Sequence, residues 1–223
     1  MILLENVAGF LRAPHKEAFE STMKGLRSSG TYHVHHQILN TRDHGVAQQR
    51  RRLYIVGIKK SLTKTPFKWP AADSAAPFLS KCYDGDRRGV VIKNAEICPD
   101  IKATETKANA LCKAFKAIRK MGETPKEIDA IVDIGASLRF ATCQVGYAPT
   151  LTRTRCASHG YYATRLMRCL TTREMMRLQG VAPKRLQTKG IAYTQMGAII
   201  GNAMSVNVVQ RILDEMLKSI GWY

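Results

Sequence analysis

Three polar side chains recur at every second position just before an apolar segment of the chain. Gln48, Arg50 and Arg52 precede residues 53–57, whose composition predicts a buried strand. Because side chains alternate across a strand, these three groups share one face, and Arg51 points to the other. Two guanidinium groups and an amide on one face form a row of donors suited to a carbonyl oxygen or a phosphate. Taken alone, the pattern is better explained as the charged, solvated start of a strand.

Three further segments carry patterns of fixed residues. An apolar strand pattern at residues 2–7 ends in ENV, residues 171–180 contain RExxRLQG, and a glycine–asparagine pair lies within residues 195–204. Along the chain the order is ENV, QxRxR at residues 48–52, RExxRLQG and the glycine–asparagine pair. These motifs, in this order, resemble those of the DNA (cytosine-5) methyltransferase family. The resemblance implies the fold and the chemistry of that family.

The resemblance covers roughly residues 1–60 and 148–215 of the chain. Each motif is weak by itself because it fixes only a few residues, but their occurrence in the family's order is specific. The segment from Ile38 to Tyr54 adds a long contiguous match.

The resemblance assigns chemical roles to three of these side chains. Glu5 of the ENV motif would hydrogen-bond to, or protonate, ring nitrogen N3 of an extruded cytosine. Arg52 would donate to the O2 carbonyl, and Arg50 would lie close to the nucleophile. Such contacts stabilise the charge that enters the ring when a nucleophile adds to carbon 6. Carbon 5 then takes a methyl group from S-adenosylmethionine, the cofactor that the resemblance implies.

These residues also have plainer interpretations. Without the other motifs, Glu5 would be a surface carboxylate at the end of a strand; as a catalytic acid it should lie buried beside an arginine. We expect Asn6 to hold its loop through side-chain hydrogen bonds. Gln48 is expected to serve packing as well as the positioning of DNA.

A cofactor contact is implied for the segment that precedes the last predicted helix. Asn202 follows Gly201 there, and its side-chain amide is placed to cap the helix. In the family this element returns to the catalytic domain and contacts the cofactor. By that resemblance Asn202, Ala203 and Met204 line the S-adenosylmethionine site, a role that is compatible with capping.

Residues 148–155 (APTLTRTR) resemble the target-recognition segment of the family, with its Thr-Leu dipeptide. By that resemblance Thr150 and Leu151 bind DNA, and the threonine braces the backbone of the flipped nucleotide. Arginines in this region are candidate contacts to phosphates or base edges, although an arginine-rich loop is often merely solvated. The candidates are Arg153, Arg155, Arg165 and Arg168. We interpret Arg173 and Glu174 as a structural pair.

The charge of the chain favours a polyanionic partner. Lysine and arginine number 35 against 17 aspartate and glutamate residues, which gives a formal net charge of +18. The excess is concentrated in the two ends that carry the motifs, and between Ile134 and Arg211 the only acidic residue is Glu174. This excess favours nucleic acid, bound in a salt-dependent way, and the resemblance implies double-stranded DNA as the partner.

The cysteine pattern points away from metal sites and disulfides. The six cysteines include no CxxC pair, so we expect no metal and no redox motif. The sequence has no signal peptide and no apolar run of membrane-spanning length, so no membrane partner is expected. We expect free thiols in an intracellular protein, in the nucleus if the host is eukaryotic and otherwise in the cytoplasm.

Periodicity and turn residues predict an α/β fold, because strand, helix, strand, turn and strand open the chain, as in the later part of an α/β sheet. The resemblance implies that this is the rear part of a Rossmann-like methyltransferase sheet, followed by a mixed α+β target-recognition domain. The predicted domains are residues 1–70 (rear part of the catalytic domain), 71–195 (target recognition) and 196–223 (a closing helix that returns to the catalytic domain). A loop-rich stretch is predicted up to Leu170. The predicted strands are 1–8, 32–39, 52–58 and 127–134, and the predicted helices are 14–29, 103–121, 171–179 and 203–219.

Two motifs of the family are absent from the sequence. No proline is followed by cysteine, Cys98-Pro99 having the reverse order, and no glycine-rich cofactor loop precedes the ENV strand. We therefore expect an incomplete or split enzyme that needs a front-half chain carrying the Pro-Cys nucleophile and that is inactive alone. The alternatives are a non-catalytic DNA-binding subunit and a portion of the tRNA-methylating branch of the family.

Overall fold

The computed structural model describes residues 1–75, 77–84, 105–137 and 143–222. Within them the chain forms two antiparallel sheets with helices packed on their faces. The strands are β1 (Ile2–Val7), β2 (Tyr32–Asn40), β3 (Arg51–Lys59), β4 (Ala130–Asp133), β5 (Cys143–Val145), β6 (Tyr161–Ala163) and β7 (Arg168–Cys169). The helices are α1 (Lys16–Ser28), α2 (Glu105–Lys120), α3 (Arg153–Ala157), α4 (Thr172–Leu178), α5 (Tyr193–Asn202) and α6 (Val206–Ser219).

The first sheet has the strand order β1–β3–β2, and both outer strands run antiparallel to β3. The central strand is apolar on both faces because a helix covers each of them. Leu53 and Ile55 pack against α1, whereas Tyr54 and Val56 pack against α6. This burial from both sides explains why β3 is a continuous apolar run rather than an alternating one.

The second sheet has the order β5–β4–β6–β7, with antiparallel pairing throughout. One face carries α2, whose Phe115 and Ile118 pack on Val132 and Tyr162. The opposite face joins a larger core that includes residues of α3, α4 and α5. The target-recognition segment therefore lies between this sheet and the last part of the chain.

Helices α3 and α5 cross at very short distance because α5 presents glycine at both crossing points. Gly197 lies against the backbone of Cys156, and Gly201 lies against the backbone of Thr152 and Arg153. A Cβ atom at either glycine would overlap those backbone atoms. The contact brings the start of the recognition segment directly onto the closing part of the chain.

The predicted succession of strand, helix, strand, turn and strand at the start of the chain is confirmed. The bounds of β1, α1, β2 and β3 lie within two residues of the predicted ones. Helix α4 and strand β4 are also present where predicted. Residues 103 and 104, at the predicted start of α2, and Cys98 lie outside the described residues. The predicted domain boundaries stay predictions.

Two predictions about the second half of the chain were wrong. The stretch predicted to be rich in loops contains α3, β5, β6 and β7, which are too short to leave a periodic pattern and are held by pairing and packing with neighbours. The last helix begins at Val206 and not at residue 203. Gly201 and Asn202 end α5, a helix that the sequence pattern did not predict because its glycines look like helix breakers.

The glycine contact gives a direct test of the packing. We expect Gly197→Ala to lower the free energy of unfolding by about 1–3 kcal/mol, because an added methyl group must displace the backbone of α3. Gly25→Ala is the matched control, since Gly25 lies in α1 and a methyl group there would meet no other atom within 4 Å. That change should raise stability by about 0.5–1 kcal/mol. Urea unfolding of both variants measures the difference, and equal stability of the two would contradict the close crossing.

Candidate active site

The pairing of β1 with β3 brings Glu5 and Arg52 together. Val7 is opposite Arg52 and Glu5 is opposite Tyr54, so Glu5 and Arg52 are diagonal neighbours on one face of the sheet. Nε of Arg52 lies 3.0 Å from Oε1 of Glu5, and the two side chains are 15% and 17% exposed. Oε1 makes no hydrogen bond with the described residues, so this contact is an ion pair without hydrogen-bond geometry. The carboxylate is thus partly desolvated and retains accepting capacity.

Neighbouring groups fix the orientation of the Arg52 guanidinium and surround the ion pair. Nη1 of Arg52 donates to the carbonyl of Arg51 at 2.9 Å, which fixes its orientation. Burial, followed by the charge of Glu5, raises the pKa of Tyr54 to about 12, so the phenol stays neutral. Asn6, whose catalytic-loop role was predicted, is exposed, and its Oδ1 accepts from the amide of Val7 at 2.8 Å.

Arg50 is buried and joins two distant segments. Nη1 donates to the carbonyl of Leu151 at 2.7 Å, and Nη2 donates to the carbonyl of Ala203 at 2.9 Å. Its Nε is buried and has no hydrogen-bond partner among the described residues. Burial, followed by the nearby charge of Arg52, lowers the pKa of Arg50. Its two terminal nitrogens therefore hold the recognition and closing segments at the start of β3.

Gln48 is fully buried and makes hydrogen bonds on both sides of its amide. Nε2 donates to the carbonyl of Leu178 and, at 3.3 Å, to Oε1 of Gln179, while Oε1 accepts from the amide of Leu151 at 3.1 Å. The backbones of Gln48 and Ala148 form a parallel bridge beside these contacts. Gln48 thereby connects β3 to the recognition segment and to the end of α4.

Gln179 has a structural role that was not predicted, although the residue is part of the RLQG motif. Its Nε2 donates to the carbonyl of Ile200 at 2.8 Å, and its Oε1 lies 3.5 Å from Oγ of Ser205. Ser205 in turn shares a 2.6 Å hydrogen bond with the hydroxyl of Thr41. The signal in the sequence was a polar residue directly after the apolar face of α4, which Gly180 then ends.

Some of the predicted DNA-binding residues are held by contacts within the chain, and others are exposed. Thr150 donates to the carbonyl of Gln49 at 2.7 Å, and Leu151 is fully buried, so both hold the segment on β3. Nε of Arg155 pairs with Asp133 at 3.1 Å. Among the predicted DNA contacts, Arg153 and Arg165 are exposed and have no side-chain partner in the described part of the chain.

The interpretation of Arg173 and Glu174 as a pair was wrong. Glu174 is fully buried and pairs in bidentate fashion with Arg168, at 2.8 and 2.7 Å, while Arg173 lies 3.7 Å from Asp84. Burial alone would raise the pKa of Glu174, but the hydrogen bonds from Arg168 and from backbone amides hold it below its usual value. The predicted capping box with Thr171 is present. Arg168, a candidate DNA contact, is therefore buried inside this cluster.

The predicted cofactor residues lie together at the connection between α5 and α6. Asn202 and Met204 are exposed, and Ala203 is half-buried with its carbonyl held by Arg50. The prediction that Asn202 caps the following helix was wrong, because Asn202 is the last residue of α5 and Ser205 precedes α6. Residues 203–205 separate the two helices.

Neither a metal cluster nor a membrane-spanning helix occurs in residues 1–75, 77–84, 105–137 and 143–222. In these ranges no group of three or more His, Cys, Asp or Glu side chains is arranged to hold a metal ion. None of the helices in the same ranges is long and apolar enough to cross a membrane.

Comparison with known proteins identifies the family. Residues 1–218 match the sequence model described as "C-5 cytosine-specific DNA methylase". The chain belongs to that family. The methylase chain is 29% identical over 218 residues to the Type II methyltransferase M.HaeII of Haemophilus aegyptius, covering 98% of this chain and 61% of that protein. It is 28% identical over 208 residues to M.NgoBI of Neisseria gonorrhoeae, covering 93% and 58%.

Solved structures show the same fold. A putative DNA modification methyltransferase encoded within an E. coli prophage superposes with a TM-score of 0.61 at 18% identity, covering 98% of this chain and 69% of that one. The Dnmt2 methyltransferase of S. pombe gives a TM-score of 0.59 at 16% identity, covering 99% and 67%. The predicted family and the predicted α/β, Rossmann-like fold are therefore confirmed. The methylase chain spans about three fifths of the length of the curated relatives M.HaeII and M.NgoBI.

The buried amide at the centre of the methylase site can be tested directly. We expect Gln48→Leu to lower the free energy of unfolding by about 2–3 kcal/mol, because it leaves the amide of Leu151 and the carbonyl of Leu178 buried without partners. Gln37→Leu, on the exposed part of β2, should change stability by less than about 0.5 kcal/mol. Chemical denaturation measures both. A small effect at position 48 would mean that water or another side chain replaces the amide.

Proposed function

We propose that this chain is the rear portion of an S-adenosylmethionine-dependent enzyme that methylates carbon 5 of cytosine in DNA. The observation that carries the proposal is the Glu5–Arg52 pair, whose charged atoms lie 3.0 Å apart on one face of the sheet. A carboxyl group in this setting can hold a proton at ring nitrogen N3, and a guanidinium beside it can donate to the O2 carbonyl. Membership of the cytosine-specific DNA methylase family supports the assignment.

In this reaction two residues of the chain act on the base and two position the recognition segment. Glu5 holds the proton at N3, and Arg52 both orients Glu5 and stabilises negative charge on the base. Arg50 and Gln48 keep the recognition segment in register with these two groups through Leu151. The residues are preorganised by backbone pairing, so little reorganisation is needed when the base enters.

The residues at the connection of α5 and α6 fit one side of a cofactor site. Asn202 and Met204 are both exposed and offer an amide and a thioether, a combination that suits an adenosine. These residues would hold S-adenosylmethionine, which supplies the methyl group when bound. Arg50 fixes the connection of α5 and α6 in place by donating to the carbonyl of Ala203.

In this proposal the nucleophile comes from a front half of the enzyme that carries a Pro-Cys pair, which residues 1–223 do not contain. Burial raises the pKa of Cys82 to about 11 and that of Cys156 to about 12, so both remain thiols near neutral pH. The edge strand β1 pairs with β3 on one side, and its apolar side chains Leu4 and Val7 are exposed. A front-half chain that continues the sheet at β1 would cover this apolar surface.

A DNA-binding subunit without catalysis is the second candidate. The exposed arginines Arg153 and Arg165 and the net charge of +18 favour duplex binding whether or not the chain takes part in methyl transfer. The two candidates differ in the role of Glu5, which contributes to catalysis in the first and to nothing but local packing in the second.

Reconstitution tests the catalytic role of Glu5. The chain is mixed with a front-half chain that carries the glycine-rich loop and the Pro-Cys pair, and transfer of a labelled methyl group to duplex DNA is measured. We expect Glu5→Gln to lower the rate about 10²- to 10⁴-fold, because general acid assistance is lost, with duplex affinity unchanged. Glu17→Gln, an exposed position on α1, should leave the rate unchanged. An equally active Glu5→Gln protein would leave only the DNA-binding role.

The exposed arginines can be tested without a front-half chain. We expect Arg153→Ala combined with Arg165→Ala to weaken duplex binding and to reduce the slope of log affinity against log salt by about one unit for each lost phosphate contact. Arg12→Ala, an exposed arginine before α1, serves as the control for loss of a positive charge elsewhere. Fluorescence anisotropy over a salt series gives the slopes. Identical slopes for all proteins would show that DNA binds at another surface.

A further inference from the structure

His159, two residues after the end of α3, is held in an unusual backbone conformation. Its φ angle is +51°, a left-handed value that residues other than glycine adopt rarely and at a cost in stability. The neighbouring backbone is pinned on both sides, since the amide of Gly160 donates to the carbonyl of Arg155 at 2.8 Å and the carbonyl of His159 accepts from Sγ of Cys169 at 3.5 Å. The surrounding contacts therefore impose this conformation.

The imidazole of His159 lies flat on the ring of Tyr193. The ring centroids are 3.7 Å apart and the interplanar angle is 7°. Tyr193, Gly197 and Gly201 are spaced by four residues and share one stripe of α5. Along this stripe the two glycines touch the start and the end of α3, and Tyr193 touches His159 beyond its end. The close crossing of the helices thus sets the position of the stack.

A basic side chain lies close to His159, which is itself exposed. Nζ of Lys107 donates to the carbonyl of Ser158, the residue before the histidine, at 2.6 Å. Burial against the stack, followed by the charge of Lys107, lowers the pKa of His159, so the ring is neutral near pH 7. A neutral imidazole offers one hydrogen-bond donor and one acceptor. The neighbouring Lys107 suits a phosphate, whereas the imidazole suits the edge of a base, with its pattern of donors and acceptors.

We propose that His159, fixed by its stack on Tyr193, contacts a base of the DNA target and contributes to the choice of target sequence. This assignment rests on the proposed function, because it concerns the recognition of the duplex that the methylase would modify. A side chain fixed in advance loses little conformational freedom on binding and so discriminates between bases more sharply than a mobile one. No motif in the sequence marked this residue, since its position depends on the register of two helices.

Selection from a random-sequence duplex pool tests the assignment. The 223-residue chain is used to enrich bound duplexes, and its affinities for the enriched sequence and for a scrambled duplex are then measured. We expect His159→Gly to lower the ratio of the two affinities by roughly 5- to 100-fold, while affinity for the scrambled duplex changes less than twofold. Glycine accepts the left-handed backbone, so the variant keeps the fold, and its thermal stability verifies this.

Two controls separate a base contact from other effects. His15→Ala, an exposed histidine before α1, should leave the affinity ratio unchanged. Arg153→Ala should weaken binding to both duplexes by a similar factor. A stable His159→Gly protein with an unchanged ratio would overturn the assignment of His159 and leave the proposed function intact. A wild-type chain with no sequence preference in the selection would overturn both.

Discussion

Buried hydrogen bonds of Gln48 and Arg50 connect three segments that are far apart in the sequence. Their side chains reach the recognition segment at Leu151, the end of α4 at Leu178 and the closing segment at Ala203. In a buried setting such groups are costly when unpaired, so the segments must arrive in one arrangement for the donors and acceptors to be satisfied. The remainder of the candidate active site is built on the positions that this network sets.

The Glu5–Arg52 pair gains its rigidity from the same strand. Arg52 lies two residues after Arg50, at the start of β3, and β1 pairs with β3 along the whole segment that carries Glu5. Because β3 is covered by helices on both faces, its position cannot shift without disrupting two apolar clusters. The Arg52 guanidinium therefore lies on the best-supported strand of the described residues and the Glu5 carboxylate on the strand paired with it, a rigid platform for the extruded base of the proposed function.

The basic residues have different roles that the net charge does not distinguish. Arg50 and Arg168 are buried and bond to carbonyls or to Glu174, so they organise the fold. Arg153 and Arg165 are exposed and available to phosphates. Long-range attraction of DNA depends on all of these charges, but only exposed groups can replace the counterions of the backbone. In the proposed complex the orientation of the duplex consequently follows from a small part of the total charge.

The sequence by itself determined the family, the elements of the first sheet, the α4 capping box and the convergence of Glu5 with an arginine, because these depend on local periodicity and on motifs of fixed spacing. It did not reveal β5 to β7, the partner of Glu174, the role of Gln179 or the stack at His159. Short strands have too few residues for a periodic signal, and buried polar groups choose partners by the register of packed elements. Only the tertiary structure decides that register, since it arises from contacts such as Gly197 against α3 that join residues distant in the chain.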